Sequence, residues 1–176
     1  MIAAVVLAAG ASTRFGSAKQ RLLLPEVLAR VRESPVDELV VVLGAHEVET
    51  DARVVHCAAW ADGPGASLRC GLDALSADAE AAIVVLADGP DLAPAAIERL
   101  LGAWRGEPLL AASYGGARSH PVLLARAAWA TVPDEGLRAF EPVLVPCDDL
   151  GSPGDVDFAD DLPGRLQPRD TESVDR

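Results

Sequence analysis

Five apolar runs of strand length recur along the chain, each closed by a glycine, an acid or a turn residue. Residues 2–8 read IAAVVLA and stop just before Gly10, with no polar position among them. A strand with one wet face alternates, whereas an unbroken run suits a strand covered on both faces, as in a parallel sheet. The same form returns at 39–44 (LVVVLG), 81–88 (AAIVVLAD), 109–116 (LLAASYGG) and 142–147 (PVLVPC). Helical spacing occupies the intervals at 22–33, 67–77 and 94–104, and Pro94 suits a first helical turn, where no N–H is needed. Residues 122–130 (VLLARAAWA) predict a further short helix.

Strands alternating with helices in this way predict a three-layer α/β/α sandwich around a mostly parallel sheet. Ligands of such sheets bind beyond the carboxyl ends of the strands. That rule selects residues 10–19, 88–91 and 114–120. One domain over 1–162 is expected, with 163–176, charged and without apolar periodicity, as a flexible C-terminal tail.

Composition narrows the function. With 27 acids against 15 bases and a formal charge of −12, the chain is a poor partner for nucleic acid or an anionic membrane surface. No apolar run reaches a membrane span, and the first run lacks the basic lead of a secretory signal, so a cytoplasmic protein is expected. Cys57, Cys70 and Cys147 are odd in number and form no CxxC pair, which predicts three buried thiols, neither a disulfide nor a zinc site. Of the 15 basic residues 14 are arginine, and Lys19 is the only lysine. A site that needs a compact point charge rather than a planar fork resists replacement by arginine.

The first loop, 10–19, reads GASTRFGSAK. Small residues let backbone N–H groups approach an anion, while Arg14 and Lys19 add a fork and a point charge, so the loop suits phosphate. Its spacing is neither GxxxxGK[ST] nor GxGxxG, which excludes the P-loop and the dinucleotide fingerprint. Leu7-Ala8-Ala9-Gly10-Ala11-Ser12-Thr13-Arg14-Phe15-Gly16, followed by Lys19 and Leu23-Leu24-Pro25, closely resembles the LAAGxSxRxGxxK signature of MobA-like nucleotidyltransferases, which include molybdenum-cofactor cytidylyltransferases. Trp60-Ala61-Asp62-Gly63 with Ser67-Leu68-Arg69 and Gly71-Leu72 is similar to that family's second loop, and Leu86-Ala87-Asp88-Gly89-Pro90 to its LADxP motif. His120-Pro121, 134–138 (DEGLR) and 154–157 (GDVD) resemble its later motifs.

The resemblance implies the Rossmann-like fold of nucleotide-diphospho-sugar transferases and a set of roles. Leu7, Ala8, Ala9, Gly10, Ala11, Ser12, Gly63 and Ser67 would wrap the nucleotide. Arg14 and Lys19 would hold its phosphates, and His120 and Asp134 are candidates for the acceptor side. Asp88 closes a buried strand over the phosphate loop, where Mg²⁺ would be held by one or two carboxylates plus substrate phosphates. Either Asp155 or Asp157 would complete that site. At most one of the two is expected to point at the metal, and Asp157 is the favoured one. The other acids of 148–161 suit a solvated loop.

No Ser/His/Asp or Cys/His constellation is visible, and transfer of a nucleoside monophosphate to a phosphate acceptor needs none. Ala9, where guanylyl-transferring relatives have glycine, favours CTP over GTP. The implied acceptor is molybdopterin, with a molybdoenzyme apoprotein as partner. Guanylyl transfer to molybdopterin or another phospho-acceptor, or a non-catalytic nucleotide-binding role in cofactor maturation, are the alternatives. Departures from the family pattern at Cys57, Gly89, Ser119 and Phe158 leave the phosphate and metal residues in place.

Overall fold

A computed structural model describes residues 1–11 and 19–167. The strands are β1 (Ile2–Ala8), β2 (Glu38–Leu43), β3 (Arg53–His56), β4 (Ala81–Leu86), β5 (Leu109–Tyr114), β6 (Ala117–Ala125) and β7 (Val143–Pro146). The helices are α1 (Gln20–Arg32), α2 (Pro64–Asp73) and α3 (Pro94–Ala103). The sheet runs β3-β2-β1-β4-β6-β5-β7, with β6 antiparallel to both neighbours and the other pairings parallel.

Continuous apolarity in the central strands has the expected cause. Ala4, Val6 and Ala8 of β1 enter one core with Leu24, Val27 and Leu28 of α1 and Ile97 and Leu100 of α3. Ala3 and Val5 enter the other with Leu68 and Leu72 of α2. The architecture is therefore the three-layer α/β sandwich expected from the sequence, with α1 and α3 on one face and α2 on the other.

The predicted runs at 2–8, 39–44, 81–88, 109–116 and 142–147 all contain strands, some of them shorter than expected. The short edge strand β3 was not foreseen. A real correction concerns 122–130, where a helix was expected. Residues through Ala125 belong to β6, and only Arg126–Thr131 coil, as a 3-10 segment. A short apolar run fits a buried strand or a buried helix equally well by periodicity. Pairing decides here, because Ile83 faces Leu123 across the β4–β6 ladder and Leu110 faces Leu123 across β5–β6. Gly115 and Gly116, with φ of 59° and 75°, make the two-residue turn that sends β6 back along β5.

The thiol expectation is also corrected: Cys57 and Cys70 form a disulfide, their Cα atoms 5.8 Å apart, while Cys147 is a buried free thiol. Cysteine parity carries no record of the chain reversal that brings the end of β3 beside α2. Beyond residue 162, Arg165 pairs with Asp91 at 2.8 Å and with Glu26 at 3.3 Å, and Leu166 packs on Leu23, Val156 and Leu162. The rest of the expected tail, 168–176, lies outside the described residues. Among the described residues no helix is long and apolar enough to cross a membrane.

Leu123 is fully buried between two ladders. Leu123→Ala is expected to lower the unfolding free energy by roughly 2–5 kcal/mol, read as a reduced denaturant midpoint at unchanged slope.

Candidate active site

Lys19 begins α1 at the carboxyl end of the sheet and is only 9% exposed. A charge so placed needs partners. Its Nζ donates to the Val156 carbonyl and, at 3.4 Å, to Asp88 Oδ2, and it forms an ion pair with Asp157 Oδ1 at 3.7 Å. Three distant stretches of sequence thus meet around one ammonium. Their backbones are joined as well. Ala87 N–H donates to Leu7 O at 3.0 Å, Val156 N–H to Asp88 O at 3.0 Å, and Asp91 N–H to Pro153 O at 3.0 Å.

Two polar atoms here have no hydrogen-bond partner among the described residues. Asp88 Oδ1 and His120 Nε2 are both buried without a hydrogen bond among the described residues. Burial pushes the His120 imidazole below the usual 6.5, and the nearby Asp88 carboxylate acts in the opposite direction. Asp88 and Asp157 offer hard oxygen ligands, and the orphaned Oδ1 fits a cation as its missing partner. Among the described residues no three His, Cys, Asp or Glu side chains converge into a complete metal cage. A cation held there would take its remaining ligands from a bound molecule.

The other expected site residues fall around this centre. Ala8 and Ala9 are buried, Gly10 O accepts from Gln20 Nε2 at 2.8 Å, and Ala11 O accepts from His46 Nε2 at 2.8 Å. Ser12 and Arg14 lie outside the described residues. Gly63 precedes α2, and buried Ser67 lies in its first turns. Leu7, His120 and Asp155 line a cavity of about 520 Å³ floored by Leu68, Val84 and Leu86. Asp155 therefore faces the cavity while Asp157 faces Lys19.

Asp134 sits apart from that lining and ties a loop to α2. Its carboxylate accepts from Arg69 Nη2 at 2.6 Å, and its carbonyl accepts from Gly65 N–H at 3.0 Å. Arg69 also donates to Val132 O at 2.8 Å, and Arg118 donates to Leu137 O and Phe140 O, each at 2.8 Å. These arginines hold the cavity wall. Arg69 was visible within the second-loop motif and Asp134 as a candidate for the acceptor side, but nothing in the sequence marked the two as partners. The Val156 carbonyl had no signal at all, because a backbone acceptor is independent of side-chain identity.

A near-buried lysine thus meets two carboxylates beyond the carboxyl ends of parallel strands, where α/β sheets take their ligands. The chain belongs to the MobA-like NTP transferase domain family, whose pattern it matches over residues 4–140. Among solved structures it is similar to the Mycobacterium sp. strain JC1 homolog of Mycobacterium tuberculosis Rv0371c, at 26% identity and a TM-score of 0.75, over 91% of this chain and 92% of that one. Rv0371c of M. tuberculosis in complex with manganese aligns at 26% identity and a TM-score of 0.71, over 94% and 97%. A nucleotidyl transferase from Methanothermobacter, at 21% identity, shares the fold with a TM-score of 0.72 over 92% and 94%. No curated protein matches the chain.

Two outcomes test this geometry. A Cβ added at Gly65 would lie 1.8 Å from Pro133 O, so Gly65→Ala is expected to cost about 1–3 kcal/mol in a denaturation experiment and to speed amide exchange in 132–136. The His120 ring is expected to titrate below 6.5 by NMR. Because the folded protein then binds fewer protons than the unfolded chain, His120 withdraws stability as pH falls through about 6.5, and His120→Asn should flatten that part of the stability profile.

Proposed function

We propose that this protein transfers a nucleoside monophosphate from a nucleoside triphosphate, with CTP favoured, to a phosphate-bearing acceptor such as molybdopterin, releasing pyrophosphate. The observation that carries this reading is the meeting of Lys19, Asp88 and Asp157 beside the first loop. Family membership supports the nucleotidyl chemistry. The preference for CTP rests on Ala9, a buried residue whose methyl takes space that glycine would leave to a purine, a difference worth ~1–3 kcal/mol.

In this reading an acceptor phosphate oxygen attacks the α-phosphorus in line, the α–β anhydride breaks, and the electron pair leaves with pyrophosphate. Lys19 and Arg14 neutralise the charge that gathers on the polyphosphate. Asp88 and Asp157 would hold Mg²⁺, which supplies positive charge to the phosphate oxygens. The manganese complex of Rv0371c supports a divalent ion in a relative. The apolar floor under His120 takes the body of the acceptor, and its neutral imidazole offers an uncharged hydrogen-bonding group beside the reacting phosphate. No covalent enzyme intermediate forms.

The test is a thermal-shift panel of CTP, GTP, ATP and UTP with and without Mg²⁺, followed by assay of pyrophosphate release with candidate acceptors. CTP at 100 times its Kd should stabilise the fold by ~2.7 kcal/mol. Asp88→Asn is expected to reduce pyrophosphate release by about 100-fold or more, as loss of a charge-stabilising group does. A larger shift with GTP would replace CTP and keep the chemistry. Nucleotide binding without pyrophosphate release, across an acceptor panel that includes molybdopterin, would replace the enzyme by a nucleotide-binding maturation protein.

A further inference from the structure

We propose that Lys19 keeps the divalent-cation site closed in the nucleotide-free protein, so that metal and nucleotide enter together. The inference rests on the nucleotidyltransferase reading and concerns the regulation of that same site. An ammonium carries three N–H donors. Here Nζ donates to the Val156 carbonyl and Asp88 Oδ2 and pairs with Asp157 Oδ1 at 3.7 Å, so its charge is committed to the two carboxylates that would ligate a metal. At 9% exposure it is shielded from water, which leaves repulsion between its charge and an incoming dication weakly screened.

A metal arriving alone therefore meets two obstacles. It must displace Lys19 from both of its carboxylate partners, and it finds fewer than three clustered His, Cys, Asp or Glu ligands among the described residues. A polyphosphate removes both obstacles. Its oxygens complete the coordination shell and give the ammonium a new anion to pair with, so Lys19 exchanges carboxylates for phosphates as the metal takes its place. The backbone does not have to move. The 153–157 segment stays tied by Asp91 N–H to Pro153 O and Val156 N–H to Asp88 O, each at 3.0 Å, and Val156 is packed with Leu23 and Leu162. The exchange is a swing of one side chain.

Because Lys19 is the only lysine, protein labelled with ¹³C at the lysine ε carbon reports on this residue alone. Mg²⁺ added without nucleotide should leave its resonance in place, and Mg²⁺ with CTP should move it to a new position. In a second arm, Mn²⁺ binding without nucleotide is followed by electron paramagnetic resonance. Lys19→Met should bind Mn²⁺ about tenfold more tightly than the wild type, the size expected when a neighbouring charge is removed from a shielded site, and adding Asp88→Asn should abolish the gain. Equal Mn²⁺ affinity in wild type and a folded Lys19→Met protein overturns the proposal. So does a lysine resonance that Mg²⁺ alone shifts to the nucleotide-bound position. Should Lys19→Met fail to fold, the resonance experiment on the wild type decides. Nucleotide binding with either overturning result defeats this inference and leaves the proposed function standing, whereas no response to any nucleotide defeats that function itself.

Discussion

Burial of β1 and β4 on both faces is the constraint from which the rest of this molecule follows. Two adjacent parallel strands with apolar side chains above and below hold a fixed register, in which Leu7 faces Leu86. Their carboxyl ends therefore emerge side by side, one leading into the phosphate-suited loop and the other into Asp88. Ala87 N–H bonded to Leu7 O extends the pairing one step past the ladder and fixes the spacing between the end of β1 and the Asp88 segment. A slip of one residue would reverse every side chain on β4 between the two cores, so the position of Asp88 is protected by all the packing beneath it.

At those strand ends the apolar logic stops and electrostatics takes over. The chain carries a formal charge of −12, yet its site is built around a cation with acids on two sides. Removing an ammonium from water is costly unless its donors are satisfied, and the Val156 carbonyl together with two carboxylates meets that cost. A lysine suits the place because its compact head donates to the Val156 carbonyl and to Asp88 and still pairs with Asp157. Arginine's planar fork would favour one bidentate partner.

The opposite wall depends on α2 and the loop that crosses its first turn. Asp134, on that loop, gives its carbonyl to Gly65 N–H and its carboxylate to Arg69. Antiparallel β6 brings His120 to the same cavity from the far side of β4. The site thus draws on elements from most of the chain, and its parts are held by backbone hydrogen bonds as much as by side chains.

The sequence by itself determined the parallel core strands, the three helices, the loop signature and the acid that follows β4. Each is a local property: two-sided burial writes an unbroken apolar run, and the loop signature is one contiguous stretch of small residues ending in a lysine. Tertiary structure decided the remainder. Residues 122–125 joined a strand because β4 and β5 offered a ladder, although the apolar pattern of 122–130 suited a helix equally well. Cys57 and Cys70 became partners because the chain folds back between them. Asp157 faces Lys19 while Asp155 faces the cavity because an irregular segment, tied down at Val156, sets their directions individually. Such outcomes depend on groups far apart in the chain and often on main-chain atoms, which every residue carries and no local pattern can mark.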